Sequence, residues 1–287
     1  MRSEAVQVTK SFKLRGATNK VASLPSETCR IVTCSSGNHA LAVLHACQPS
    51  STCPHIQPVI YLPSTASARK RRKLQDAGAS LKLFGDDVVD TEREARRVAV
   101  KQGIPYISPY NDLQISGGQG TIACELLAQL QPQSLDAVFV PVGGGGLISG
   151  IASVLAAYTP KVTVVGCQPE NSCVMADSVR AGTIITSSSS PTLSEGTAGG
   201  IETDSITFGP CAELVDEWIT VSEREIASAL LGISNDESCG PVEGAAAMAM
   251  ACFIKERKKY TGKSIVIICC GGNTGEETLA TAARILG

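Results

Sequence analysis

Apolar and polar positions fall into two alternating textures along this chain. Short, nearly continuous apolar runs, many of them β-branched, recur at 30–34, 58–62, 80–84, 136–141, 161–167 and 264–270. Between them lie helix-like stretches at 40–46, 66–77, 91–102, 118–130, 148–157 and 244–255. Continuous apolar runs of this length predict strands buried on both faces, the habit of parallel sheets. Strands alternating with helices predict an α/β fold in which helices cover those sheets. The first three runs form a compact βα set of their own, so two sheets fit better than one. The expected organisation is a large domain built from 1–30 and 109–287, and a small one from 31–108. No internal repeat is visible. The Ser/Thr-rich stretch from Thr183 to Thr192 is expected to be a flexible surface excursion between elements.

Composition narrows the class. The chain has 287 residues, 43% apolar and only 18% charged, enough for one large domain or two small ones with real cores. Its formal net charge is −2 and no basic stripe appears, so nucleic acid is not expected as a partner. The one basic cluster, Arg69 to Lys73, falls in a helix-like stretch and reads as a solvated face. No apolar run approaches the ~18 residues of a membrane helix. The N-terminus lacks a signal-peptide pattern, and a cytoplasmic protein is expected.

Twelve cysteines are many, but none forms paired C-x-x-C motifs, and no metal site is expected. Cys34, Cys124, Cys167, Cys252 and Cys269 lie in apolar runs and read as small buried residues in a reducing compartment. Cys47 and Cys53 flank a polar loop where a pairing is open but not required.

Four segments carry candidate chemistry. In Ser11-Phe12-Lys13-Leu14-Arg15-Gly16-Ala17, an apolar wall, a hydroxyl and a permissive backbone surround Lys13. A lysine so placed can lose its proton and attack a carbonyl. Gly143-Gly144-Gly145-Gly146-Leu147 follows the 136–141 strand and opens a helix. Successive glycines let backbone N–H groups converge on one anion at the positive end of the helix dipole. The loop has neither the G-K-[ST] of a P-loop nor a G-x-G-x-x-G spacing, and reads as a phosphate cradle, with a plain tight turn as the alternative. Ser35-Ser36-Gly37-Asn38-His39 also joins a strand to a helix, and suits either an N-cap or a bound carboxylate or ring hydroxyl. Cys270-Gly271-Gly272-Asn273 ends the last strand, where parallel sheets present their ligand crevice. Glu243 either caps the next helix or sits beside a ligand.

In this order and spacing the four segments resemble the fold-type II pyridoxal-phosphate enzymes, in the serine/threonine dehydratase and serine racemase branch. The resemblance covers nearly the whole chain and implies a fold like the tryptophan synthase β subunit. It implies that Lys13 carries the pyridoxal 5'-phosphate aldehyde on its amine and then serves as the base at Cα. It puts Phe12 beside the pyridine ring, Asn38 on the ring hydroxyl and Cys270 at the pyridine nitrogen, with Glu243 in the cofactor's surroundings. Gly143, Gly144, Gly145, Gly146 and Leu147 bind the phosphate, and Ser35, Ser36, Asn38 and His39 surround the substrate carboxylate. A neutral thiol does not hold the ring nitrogen protonated. The weaker electron sink favours quick loss of a β-hydroxyl.

The expected activity is therefore dehydration and deamination of L-serine or L-threonine to a 2-keto acid and ammonia, by a homodimer. Serine racemase is the rival, because Ser36 stands where racemases carry their second acid/base. Against it, the positions matching that branch's acidic cation site are Gln168 and Val174, with Glu170 nearby, and neither of the first two suits a hard cation. The family also begins several dozen residues earlier, so the chain reads as N-terminally shortened. That supports a different class of reading, a non-catalytic cofactor-binding paralogue. No C-terminal regulatory domain is expected.

Overall fold

The computed structural model describes residues 2–130, 134–186, 189–234 and 241–287. They pack as two compact units, Lys13–Gly118 and a larger one from Met1–Phe12 and Gln119–Gly287. By packing, residues 13–30 and 109–118 go with the smaller unit, where the sequence reading groups them with the larger.

In the smaller unit, β2 (Arg30–Cys34), β3 (Gln57–Leu62) and β4 (Ser80–Leu83) form a parallel sheet in that order. Segment 105–107 adds to the free side of β2: Val32 N–H donates to the Pro105 carbonyl and Ile107 N–H to the Val32 carbonyl. Successive side chains of β3 serve opposite faces, as the period of two requires. Ile60 and Leu62 pack with Ala40 and Leu44 of α2 (Asn38–Ala46) and Leu74 of α3 (Ala68–Asp76). Val59 and Tyr61 pack with Ala95 and Ala99 of α4 (Val88–Gln102). Leu74 is the one buried residue of α3; Arg69, Lys70, Arg72 and Lys73 are exposed and Arg71 is half-buried, so most of the basic cluster is solvated. Helix α1 (Lys13–Ala22) lies on α2 and on the start of α5 (Leu113–Gln129). The α1–α5 contact is nearly backbone to backbone: a Cβ on Gly118 would stand 2.6 Å from the Gly16 Cα.

The larger unit holds a five-stranded parallel sheet ordered β1-β8-β5-β6-β7, from Arg2–Ser3, Ile265–Cys269, Ala137–Pro141, Thr163–Pro169 and Glu217–Val221. Helix α6 (Gly146–Tyr158) connects β5 to β6, and α10 (Gly244–Glu256) packs against β5, β6, β7 and β8. Phe139, fully buried on β5, meets the Phe253 and Tyr260 rings edge-on with centroids 5.6 and 5.0 Å away. Helix α7 (Val174–Ala181), α8 (Phe208–Leu214), α9 (Glu223–Ser234) and α11 (Glu276–Leu286) complete the unit.

Cys34, Cys167, Cys252 and Cys269 are buried as expected, but Cys124 is exposed, because the apolar run around it is a helix and Cys124 lies on its outer face. Cys47 and Cys53 are both free thiols. Within Thr183–Thr192, Ser187 and Ser188 lie outside the described residues; beside them, Ser189 and Ser190 hydrogen-bond to the Ser172 hydroxyl and the Asn171 carbonyl. Among the described residues, no helix is long and apolar enough to cross a membrane.

Candidate active site

The smaller unit holds Lys13 and the Ser35–His39 turn. Lys13 is the first residue of α1, and its ammonium donates to the Pro109 carbonyl at 2.7 Å. Pro109 sits in a firmly tied segment: the Ser108 hydroxyl accepts from Tyr110 and Asn111 N–H, and Ile107 is bonded to β2. The Ile107 carbonyl also accepts from the Thr33 hydroxyl at 2.7 Å and lies 3.1 Å from His39 Nε2. A carbonyl can only accept, so Nε2 carries the proton. Burial, reinforced by the Lys13 charge and opposed by the bond to Ile107, pulls the imidazole pKa down to about 3. His39 is therefore neutral at physiological pH. Its ring is committed to the sheet edge through Nε2.

Ser35, Ser36 and Asn38 are half-buried. The Ser35 hydroxyl accepts from Gly37 N–H at 3.2 Å, and α2 starts with no side-chain cap. The N-cap alternative for this turn is thus not the one adopted.

The larger unit holds the glycine loop and the end of β8. Gly145 has φ +84°, a left-handed conformation that disfavours a side chain. A Cβ there would lie 2.8 Å from Met175 Cε, 2.9 Å from Thr207 Oγ1 and 3.0 Å from Cys211 Sγ. Beside Gly143, a Cβ would meet the Thr197 backbone at 3.0 Å. Glycine is needed at both positions for close approach, and the loop is well packed underneath. Among the described residues, the N–H groups of Gly143, Gly144, Gly145, Gly146 and Leu147 have no protein acceptor. Gly145, Gly146 and Leu147 are buried and Gly143 and Gly144 half-buried, and buried backbone donors rarely stay unpaired. Five such N–H groups at the start of a 13-residue helix fit a phosphate.

At the β8 end, Phe12 N–H donates to the Cys270 carbonyl at 3.0 Å, and Gly272 N–H to the Lys10 carbonyl at 2.9 Å. Lys10 itself has φ +56°, the one non-glycine residue with positive φ among those described. Ser11 bridges to Gly271, so the residues just before Lys13 are fastened to the end of the last strand. Phe12 packs partly buried against the large core. The Cys270 thiol donates to Glu243 Oε1 at 3.4 Å. Burial, then the Glu243 charge, holds this thiol well above its ordinary pKa, so it stays protonated and neutral. Glu243 occupies the N-cap position of α10, yet its side chain does not cap; it lies against Cys270 and Gly271. Sequence left Glu243 even between these roles.

A protein family described as pyridoxal-phosphate dependent enzyme matches residues 2–271. The chain belongs to this family. Within it, the relatives fall in the serine/threonine dehydratase branch. The chain is 36% identical over 275 residues to the L-threonine ammonia-lyase of Thermotoga maritima, covering 95% of itself and 66% of that protein. It is 34% identical to the catabolic L-threonine dehydratase TdcB of Escherichia coli, covering 95% of itself and 82% of the relative. The chain thus spans about two thirds of the length of one curated relative and four fifths of the other. Among solved structures, the processed form of threonine deaminase isoform 2 from Solanum lycopersicum superposes with a TM-score of 0.90 at 31% identity, over 99% of this chain and 82% of that one. The fold is that of fold-type II pyridoxal-phosphate enzymes, and the cofactor is pyridoxal 5'-phosphate. The cradle of unpaired N–H groups and the neutral thiol fit that group chemically.

Sequence reasoning missed two buried polar residues here. Gln168 is 1% exposed and its amide joins two elements of the larger unit. Thr207, 1% exposed, donates its hydroxyl to the Gly144 carbonyl at 2.7 Å. In the sequence Gln168 stands out only as a cation position, and Thr207 carries no signal of its own.

Proposed function

We propose that this enzyme is an L-serine or L-threonine ammonia-lyase, releasing the 2-keto acid and ammonia. The observation that carries this reading is the loop of five unpaired N–H groups, in a chain whose curated relatives are ammonia-lyases and dehydratases. When bound, the cofactor supplies an electron sink for charge developing at Cα. The protein's own groups do the rest. Gly143, Gly144, Gly145, Gly146 and Leu147 hold the phosphate by backbone N–H. Phe12 would lie beside the ring and Asn38 would bind the ring hydroxyl. Cys270, kept neutral beside Glu243, would meet the pyridine nitrogen without protonating it. Lys13 would hold the cofactor through Nζ, and its amine would serve as the base at Cα. Ser35, Ser36 and Asn38 bind the substrate carboxylate, and His39 supports them as a neutral group on the Ile107 carbonyl. Water leaves from Cβ and returns on hydrolysis of the released enamine, so hydroxy amino acid becomes keto acid plus ammonia with no net water.

In this reading residues 31–108 serve the substrate side, and 1–30 with 109–287 the cofactor side, a functional division whose bounds differ from those of the packing units. The reading includes a cytosolic homodimer. The eleven described cysteines, all free thiols, support a reducing compartment. Ser36 is the one feature that favours racemisation as a second activity, since it offers a hydroxyl for the opposite face of Cα. The test is product analysis of the purified, cofactor-loaded protein: keto acid from L-serine or L-threonine supports the lyase, D-serine as main product supports the racemase, and neither product supports a non-catalytic paralogue.

A further inference from the structure

Glycines have no side chains with which to be held, so a four-glycine loop is aimed by what its carbonyls contact. A trans peptide is planar, with the C=O of one residue antiparallel to the N–H of the next. Fixing a carbonyl therefore fixes the direction of the following N–H. Two such bonds reach this loop from buried side chains. Gln168 Nε2 donates to the Val142 carbonyl at 3.2 Å, in the same peptide plane as Gly143 N–H. Thr207 Oγ1 donates to the Gly144 carbonyl at 2.7 Å, in the same plane as Gly145 N–H.

Each tether is itself anchored. Gln168 Oε1 accepts from Ala176 N–H at 2.8 Å, satisfying one of the unpaired donors in the first turn of α7. The residue before it, Met175, is the side chain lying beneath Gly145. Thr207 shares a 2.7 Å hydrogen bond with the Ser205 hydroxyl. One amide thus sets both the direction of Gly143 N–H and the distance between the loop and the helix that supports it.

We propose that Gln168 and Thr207 are positioning residues that aim the Gly143 and Gly145 N–H groups at the cofactor phosphate. This rests on the loop being the phosphate site. Neither side chain contacts the phosphate; each acts through one peptide plane. Their removal weakens the phosphate contact and leaves the rest of the cofactor's binding alone.

The test is equilibrium titration of the apo-protein with pyridoxal 5'-phosphate and, separately, with phosphate-free pyridoxal, for wild type, Gln168→Leu, Gln168→Met and Thr207→Val. Thermal melting of each apo-protein establishes that it is folded. In each folded variant the Kd for pyridoxal 5'-phosphate is expected to rise roughly tenfold, while that for pyridoxal stays within about twofold of wild type. Gln168→Met keeps the length of the side chain and carries the test should Gln168→Leu fail to fold. Equal losses for both ligands mean a general structural role and overturn the proposal, as does unchanged affinity for the phosphorylated ligand. If the wild type binds both ligands equally, the loop is not the phosphate site and the functional reading itself falls.

Discussion

The Cys270 thiol donates to the Glu243 carboxylate, Sγ to Oε1 at 3.4 Å, at the end of the last strand of the large sheet. The pair leaves position 270 facing a carboxylate, a poor setting for a second carboxyl group. Cys270→Asp would set two carboxyls side by side in a buried place, where both cannot ionise. It is expected to lower stability by roughly 2–4 kcal/mol, whereas Cys270→Ser, which keeps a neutral donor, should stay within about 1 kcal/mol. Urea unfolding of the two apo-proteins against wild type measures both. Equal stability of the Asp and Ser variants would mean that the thiol–carboxylate contact carries no weight.

Gly145 combines a left-handed φ with three neighbours closer than a Cβ accepts. Gly145→Ala is expected to cost roughly 2–4 kcal/mol, the sum of backbone strain and overpacking against Met175, Thr207 and Cys211. At Gly209, where a Cβ would meet nothing within 4 Å, Gly209→Ala serves as the control and should be neutral or stabilising. Denaturant unfolding distinguishes the two; similar values would show that the loop yields to a side chain.

His39 makes stability depend on pH. Its folded pKa, near 3, lies below the unfolded value of 6.5, so between them the unfolded chain binds more protons. The stabilisation is complete above pH 6.5 and is lost as pH falls from there toward 3. The slope from this one group is at most about 1.4 kcal/mol per pH unit. His39→Asn removes that contribution, so its stability should fall less steeply between pH 6.5 and 5 in urea unfolding. Parallel slopes for the two proteins would place the imidazole in water instead.

The large sheet was legible in the sequence because β5, β6 and β8 are buried on both faces and read as unbroken apolar runs. Strand β7 was missed: Glu217 and Trp218 are only half-buried, so its pattern is broken at the sheet edge. Helix α1 was also missed, since Gly16, Ala17 and Val21 are its only buried residues and small side chains leave little apolar signal. At the site, four adjacent glycines announce themselves, because few other needs justify their entropy cost. The Nε2 bond of His39 could not be read, because its partner is a backbone carbonyl 68 residues away. Gln168 and Thr207 were hidden for the same reason: they act on carbonyls, which look alike at every position.

The most direct measurement is to reduce the cofactor-loaded protein with borohydride, which fixes an imine as a stable amine, and to map the modified peptide. The expected result is a single pyridoxyl group on Nζ of Lys13, absent in Lys13→Ala together with the visible absorption band. A label on another lysine, or a band that survives in Lys13→Ala, would contradict the assignment of this lysine as the cofactor's anchor.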